Sequence, residues 1–265
     1  MSFNINLEGK TVVITGVSSG IGAGIAKLYA QANANISGCA LEDPDDESVK
    51  NFIQTIEEES GKTPLYVQAD VTIKSNLENF ISKTIERYGG IDILASNAGS
   101  NIYKGIEFCN REDWLYNMNL NMEAHWNIAC LCKPYLEKDG CGIILINTSC
   151  HAYNTLPGSF PYNIAKTGLR ALVQSLTLEW SPAIRTVGIA PGFTDTSLVK
   201  EWFDTFPDPA AKRKSTLDAF PLKRLGTVEE IGGWFVFLSS KYAAFAAGQT
   251  YLIDGGNSAL MMNPL

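Results

Sequence analysis

The chain has 265 residues, 45% hydrophobic and 18% charged, with a formal net charge of -7, the balance of a soluble globular protein able to bury a sizeable core. The acidic charge argues against a nucleic-acid partner, and the one dense basic tract, Lys212-Arg213-Lys214, reads as a solvated stretch. No apolar run is long enough to span a bilayer and the first residues carry no charged-then-apolar signal pattern, so a cytoplasmic protein without a membrane partner is expected.

In chain order, short β-rich runs alternate with helical stretches. Thr11–Thr15 (TVVIT) reads as a buried strand, followed by a glycine-rich turn and a helix from about Ile21 to Ala32. Asn35–Cys39 is a second, weaker strand. An acidic loop then leads to a helix whose apolar Val49, Phe52, Ile53 and Ile56 recur at three and four. Leu65–Ala69 and Ile91–Ala95 read as the third and fourth strands, with a helix near Asn76–Tyr88 between them. One long helix is expected around Glu112–Leu136, then the strand Gly142–Asn147 (GIILIN). The next helix begins near Pro161, a residue suited to a first helical turn, and runs to about Trp180. After the strand Arg185–Ala190, residues 193–225 break the rhythm, rich in polar and aromatic residues with Pro207, Pro209 and Pro221. A helix near Glu229–Leu238 and a strand at Thr250–Ile253 close the series.

This alternation implies parallel βαβ units with right-handed crossovers, and so a Rossmann-type, doubly wound α/β fold of about seven strands with helices on both faces. Composition marks no second domain and no repeat, so residues 1–265 are expected to form one domain, with 193–225 as a substrate lid. The six cysteines, at 39, 109, 130, 132, 141 and 150, lie in apolar surroundings and read as reduced, buried thiols. Cys130-x-Cys132 is a poor zinc signature and there are only two histidines, so no metal is expected.

Two local patterns carry chemistry. The first strand runs straight into Thr15-Gly16-Val17-Ser18-Ser19-Gly20-Ile21-Gly22. Gly16 permits the tight exit, Gly20 lets backbone approach a pyrophosphate, and Gly22 allows close helix–strand packing. The helix that follows aims free N–H groups and a positive dipole end at an anion. Of ten tyrosines, only Tyr162 has a lysine four residues on, Lys166, which puts both side chains on one helical face. A phenol's pKa of about 10 is too high for proton transfer at neutral pH, and a neighbouring ammonium favours the phenolate. The pair is a candidate proton-transfer device.

In order and spacing these motifs resemble the short-chain dehydrogenase/reductase family over nearly the full length. The family pattern Thr-Gly-x-x-x-Gly-x-Gly matches residues 15–22, its Asp-Val matches Asp70-Val71, and its Asn-Asn-Ala-Gly appears as Ser96-Asn97-Ala98-Gly99. Pro191-Gly192 matches the motif that lines the nicotinamide. The resemblance implies hydride transfer between a nicotinamide cofactor and a secondary alcohol or its carbonyl, the cofactor carrying the hydride. It implies Tyr162 as acid/base and Lys166 as the group that lowers its pKa and holds the nicotinamide ribose. Ser149, thirteen residues before Tyr162, would orient the substrate oxygen, and Asn121, seven after Trp114, would hold a water of a proton relay. Thr148 and Cys150 flank Ser149, and Asn117 and Asn119 compete with Asn121. Dinucleotide contacts are implied for Gly16, Ser18, Ser19, Gly20, Ile21 and Gly22, for Leu41, Asp70 and Val71, and for Asn97, Ala98 and Gly99. Tyr162, Lys166, Pro191 and Gly192 join them, with Thr194 placed to bond the carboxamide.

Three departures stand out. Ser96 replaces the first Asn of its motif, Val187 stands where many relatives have Asn, and the usual Asp ending the second strand is replaced by Ala40, followed by Leu41. No arginine stands at Ser19, Ala40 or Leu41 to receive a 2′-phosphate, and Glu42-Asp43-Pro44-Asp45-Asp46-Glu47 would repel one, so NAD rather than NADP is expected. His151 and Asn154 after the serine, Asn101 and Tyr103 after the cofactor turn, and Phe193 and Trp202 of the lid are the candidate substrate contacts. Polar donors beside aromatic faces suit a sugar or polyol, with an apolar alcohol, a carrier-linked 3-oxoacyl substrate or a non-catalytic cofactor-binding role as alternatives. The resemblance further implies a homotetramer or homodimer built on the helices 112–136 and 161–180, which carry Trp126, Leu131, Leu169, Leu172, Leu176 and Leu178.

Overall fold

Runs such as TVVIT and GIILIN are nearly all apolar, so they need burial on both faces, which only a sheet covered by helices on two sides supplies. The computed structural model, which describes residues 4–260, contains seven such strands. They are β1 (Thr11–Thr15), β2 (Asn35–Ala40), β3 (Leu65–Gln68), β4 (Ile93–Ser96), β5 (Gly142–Asn147), β6 (Ile184–Pro191) and β7 (Thr250–Ile253). All pair in parallel in the order β3-β2-β1-β4-β5-β6-β7. The sheet grows in opposite directions from β1 and β4, and the crevice beyond the carboxyl ends of those strands is where such folds place ligands.

The helices are α1 (Gly20–Gln31), α2 (Glu47–Ser60), α3 (Lys74–Tyr88), α4 (Arg111–Met118), α5 (Ala124–Leu136), α6 (Tyr162–Trp180), α7 (Ser197–Asp204), α8 (Pro209–Ala219) and α9 (Val228–Ser239). Side chains alternate across each strand, and the alternation sorts the core into two layers. Val12 and Ile14 of β1 pack with Ile25 and Tyr29 of α1 and Phe235 of α9. Val13 faces the other way, towards the layer of Phe80 from α3, Ile128 from α5 and Val173 from α6. The Tyr29 hydroxyl is buried but satisfied, 2.6 Å from the Ser239 hydroxyl at the end of α9 and 3.2 Å from the Phe235 carbonyl.

The long helix expected over 112–136 is continuous but carries a distortion within it. Between α4 and α5 the chain makes a π-helical turn at Asn119–Glu123, a distortion common at functional sites. Asparagine is a weak helix former that competes for backbone partners, and here the Asn121 side chain is tied to the backbone of Ser100. Segment 193–225, read as irregular, holds α7 and α8. Their capping residues were legible: Thr196 accepts from Val199 N–H, and Asp208, followed by Pro209, accepts from Ala211 N–H. The segment has an apolar cluster of its own around buried Phe203, Phe220 and Leu225. Its base is pinched where Gly226 N–H donates to the Phe193 carbonyl at 2.9 Å and Asp195 N–H to the Gly226 carbonyl at 2.8 Å.

The cysteine expectation needs correction. All six are free, but only Cys39 and Cys132 are buried, while Cys130 and Cys141 are exposed. Two residues apart on a helix, Cys130 and Cys132 point to opposite faces of α5, so burial of one exposes the other.

Candidate active site

The carboxyl ends of β1, β4 and β5 are tied together by polar side chains. Thr15 Oγ1 accepts from the backbone N–H groups of Asn97 and Ala98 at 2.9 and 3.0 Å. Asn97 Nδ2 donates to the Thr15 and Gly16 carbonyls at 3.0 and 3.3 Å, and Asn97 Oδ1 accepts from Asn147 Nδ2 at 2.7 Å. The Asn147 carbonyl then accepts from Lys166 Nζ at 3.3 Å, which joins α6 to the sheet. Neither Thr15 nor Asn147 was singled out from the sequence as a site residue, although each is the polar end of an apolar run.

A cavity of about 840 Å³ opens over these strand ends. At one end it is lined by Gly16, Ser18, Ser19, Gly20, Ile21 and Gly22. A Cβ on Gly22 would lie 1.8 Å from the Gly16 carbonyl oxygen, so that position must be glycine for helix and turn to close up. Asp46, Asn110, Thr196, Asp208 and Thr227 each cap their helices with a side chain, whereas the Ser19 side chain does not cap α1. The first residues of α1 line the cavity, and their N–H groups have no side-chain acceptor from Ser19. Asp70, Val71, Asn97, Ala98 and Gly99 line the same space, as do Pro191, Gly192 and Thr194. Asp70 is also a turn residue, its Oδ1 accepting from Thr72 N–H and Oγ1–H.

Beyond β2, Leu41 is exposed to the cavity and Glu42 lines it beside Ala40. Tyr66 and Gln68 fix the backbone here by donating to the carbonyls of Glu42 and Leu41 at 2.6 and 2.9 Å. Glu42 Oε2 is buried without a hydrogen-bond partner, a feature that asks for a donor from the cavity. The rest of the acidic run is solvated helix capping, with Asp46 accepting from Ser48 N–H. Glu42 was missed as a contact, though an acidic residue twenty positions after Gly22 is a recognised spacing for a ribose ligand. Glycine cradle, uncapped helix and partnerless carboxylate fit a dinucleotide along this channel.

At the other end Tyr162 and Lys166 stand one turn apart at the start of α6, both buried, with Lys166 Nζ 5.6 Å from the Tyr162 ring centroid. Burial pushes the Tyr162 phenol up, a hydrogen bond with Ser149 opposes that, and Cys150 adds to the rise. Burial likewise lowers Lys166 to about 7. Ser149 thus pulls the phenol down, while Lys166, deeply desolvated, shares its charged and neutral forms near neutral pH.

None of the three competing asparagines lines the cavity, and Asn121 is the one bonded to the loop that does. Its Oδ1 accepts from Ser100 N–H at 3.2 Å, and its Nδ2 donates to the Ser100 carbonyl at 3.0 Å and to Asn117 Oδ1 at 3.1 Å. A Cβ on Gly99 would meet Asn121 Oδ1 at 2.7 Å and Lys166 Nζ at 3.3 Å. Asn121 sits behind the cavity wall and holds loop 97–100 in place, so its side chain positions the site and does not line it.

The candidate substrate contacts divide. His151 lines the cavity and is held neutral by burial, with Nδ1 2.9 Å from Thr155 Oγ1 and Nε2 3.3 Å from the Tyr103 hydroxyl. Phe193 and Trp202 line it too, their rings packed edge-on at 5.3 Å. Asn154 does not line it. Its N–H bonds back to the Cys150 carbonyl at 3.0 Å, a turn that leaves it exposed and brings Leu156, Pro157, Gly158 and Ser159 to the cavity instead.

The family profile described as Enoyl-(Acyl carrier protein) reductase matches residues 16–258. The chain is 30% identical over 253 residues to 3-oxoacyl-[acyl-carrier-protein] reductase of Thermotoga maritima, covering 95% of this chain and 99% of that one. It is 31% identical over 258 residues to L-fucose dehydrogenase of Oryctolagus cuniculus, covering 97% and 87%. The solved structure of levodione reductase superposes with a TM-score of 0.90 at 25% identity, over 95% of this chain and 98% of that one. Aldohexose dehydrogenase of Thermoplasma acidophilum, at 24% identity and 98% coverage of both chains, shares the fold with a TM-score of 0.87. The chain belongs to the short-chain dehydrogenase/reductase family, oxidoreductases that bind a nicotinamide cofactor and act on small molecules.

Lys166 gives a pH signature. Its folded pKa of about 7 lies below the unfolded value of 10.5, so across that window the unfolded chain binds more protons and stability rises with pH. Between pH 7 and 9 the urea-unfolding free energy of the wild type should rise relative to Lys166→Met by about 1–3 kcal/mol. Parallel stability curves would show that the ammonium is not desolvated.

Proposed function

We propose that the protein is an NAD-dependent dehydrogenase acting on a secondary alcohol, with a sugar or polyol as substrate class. The observation that carries the reading is the buried Tyr162 phenol, with Ser149 and Lys166 beside it in one cavity, at the end of a channel that starts at the α1 terminus. A nicotinamide dinucleotide, when bound, supplies the hydride acceptor. Tyr162 takes the substrate hydroxyl proton as its own phenolic proton passes on towards the neutral amine of Lys166, and both transfers reverse in the direction of reduction. Ser149 donates to the same oxygen and fixes its place. Lys166, near its own pKa at neutral pH, is poised to pass that proton on and to bond the ribose. Asn121 keeps loop 97–100 against the cofactor channel.

NAD is favoured over NADP by Glu42. Its partnerless oxygen can accept from ribose hydroxyls and would repel a 2′-phosphate. The sugar reading rests on aromatic faces, Trp202 and Phe206, beside the polar His151, Tyr103 and Ser159 in one cavity, and the relative named L-fucose dehydrogenase is in keeping with it. A carrier-linked acyl substrate would need a basic docking surface. The basic tract offers little, since Arg213 pairs with Asp195 and Lys214 with Asp218, and Lys212 lies over Trp202 and Phe206.

Residues 193–225 serve as the lid of a single domain. Trp126, Ile164 and Leu178, exposed on α5 and α6, suit a homo-oligomeric contact, whereas Leu169 and Leu176 are buried in the chain's own core. Among the described residues no helix is long and apolar enough to cross a membrane. With six free thiols, a reducing cytoplasm suits the chain.

Fluorescence titration with NADH and NADPH, followed by assays on aldoses and polyols, tests this reading. NADH should bind more tightly, Glu42→Gln should narrow that preference, and Tyr162→Phe should cut kcat by about 10²–10⁴-fold with NADH affinity retained. Equal or better kcat/KM with NADP would remove the NAD reading, and an unchanged kcat in Tyr162→Phe would remove the tyrosine's role.

A further inference from the structure

We propose that Tyr103, buttressed by His151, recognises a hydroxyl on the carbon next to the reacting carbinol, so that the substrate is a vicinal diol, an α-hydroxy carbonyl compound or a lactol with a free neighbouring hydroxyl. This rests on the reading that Tyr162 handles the reacting oxygen.

Three rings define the corner of the cavity. Tyr103 lies edge-on to Tyr162 with centroids 5.4 Å apart, His151 edge-on to Tyr162 at 5.8 Å, and Tyr103 and His151 are 5.6 Å apart. All three line the cavity. The loop bearing Tyr103 is fastened to the residues just before Tyr162. Tyr103 forms an antiparallel bridge with Pro161, and Lys104 N–H donates to the Phe160 carbonyl at 2.9 Å. The two phenols are therefore held at a fixed separation by one short piece of backbone pairing. The Tyr162 phenol also contributes to raising that of Tyr103, after burial, which places the two hydroxyls within electrostatic reach.

The bonding inventory of this corner selects the ligand group. A neutral imidazole has one donor and one acceptor nitrogen. Thr155 engages Nδ1 and Tyr103 engages Nε2, so both nitrogens are spent inside the protein. His151 is thus a positioning residue, and the free capacity passes to the Tyr103 oxygen. A phenol oxygen donates once and accepts as well. In one imidazole tautomer Tyr103 donates to Nε2 and keeps an acceptor; in the other it accepts from Nε2 and keeps a donor. A hydroxyl can complement either state, because it is itself donor and acceptor, whereas a methylene would leave the remaining capacity of the Tyr103 oxygen unfilled. Vicinal oxygens in one molecule are about one hydrogen-bond length apart, so neighbouring phenols can each take one.

The test compares pairs of substrates that differ only in that oxygen, an aldose and its 2-deoxy counterpart and a 1,2-diol and its monohydroxy analogue, in wild type and Tyr103→Phe with NAD. The wild type should prefer the hydroxylated member by roughly ten-fold or more in kcat/KM, as expected for a lost hydrogen bond in a closed site. Tyr103→Phe, which keeps the ring, should bring the two members to within about three-fold, mainly by raising KM for the hydroxylated one, with NADH affinity unchanged. His151→Ala should shift the preference in the same direction. A wild type that oxidises both members equally, or a preference that survives in Tyr103→Phe, overturns the inference and leaves the dehydrogenase reading standing. A wild type that binds no NADH and oxidises neither member overturns both.

Discussion

The hydrogen bond from Asn147 Nδ2 to Asn97 Oδ1, 2.7 Å long, is the contact on which the site depends. It joins β5 to β4, and Asn97 in turn reaches the carbonyls of Thr15 and Gly16 at the end of β1. A parallel sheet leaves its last backbone groups unpaired at the carboxyl edge, the same edge where its ligands must sit. Side-chain amides solve both problems here, satisfying backbone groups while fixing the loops that line the cavity. Lys166 is attached to the same chain of bonds through the Asn147 carbonyl, so the glycine turn, loop 97–100 and the start of α6 are connected.

Burial governs the electrostatics of this region. It raises Tyr162 and Tyr103 and lowers Lys166 and His151. The cost of desolvation favours the neutral form of both phenol and lysine. The same logic accommodates Ser96, the departure from the family pattern at the end of β4. Its hydroxyl bonds the buried His125 Nδ1 at 2.7 Å, and burial, with the nearby Lys166, keeps that imidazole neutral.

Much of this was legible in the sequence, because strands buried on both faces and glycines at a phosphate turn leave strong local marks. Tyr162, Lys166 and Ser149 came together at the positions their spacing required. Other features depended on contacts between distant residues. The π-helical turn at Asn119–Glu123 follows from Asn121 being tethered to Ser100, and no periodicity in the helix announces that. Asn154 and His151 looked equivalent until a turn aimed one at solvent and the other at the cavity. Glu42 was hidden within an acidic run whose other members only solvate and cap a helix. The lid aromatics divide in a way no local pattern marks: Phe203 and Phe220 form a local core while Trp202 and Phe206 line the cavity.

The central claim is that one polar network at the sheet edge both holds the strands and positions the dinucleotide. Replacing Asn147 by Leu removes the amide while keeping a branched side-chain outline, and leaves Asn97 Oδ1 without its partner. The decisive measurement is the NADH dissociation constant of Asn147→Leu, taken alongside its urea-unfolding free energy. Stability should fall by about 1–3 kcal/mol and NADH affinity should weaken by roughly ten-fold or more, since a change of about 1.4 kcal/mol is tenfold. NADH bound as tightly as by the wild type would contradict it.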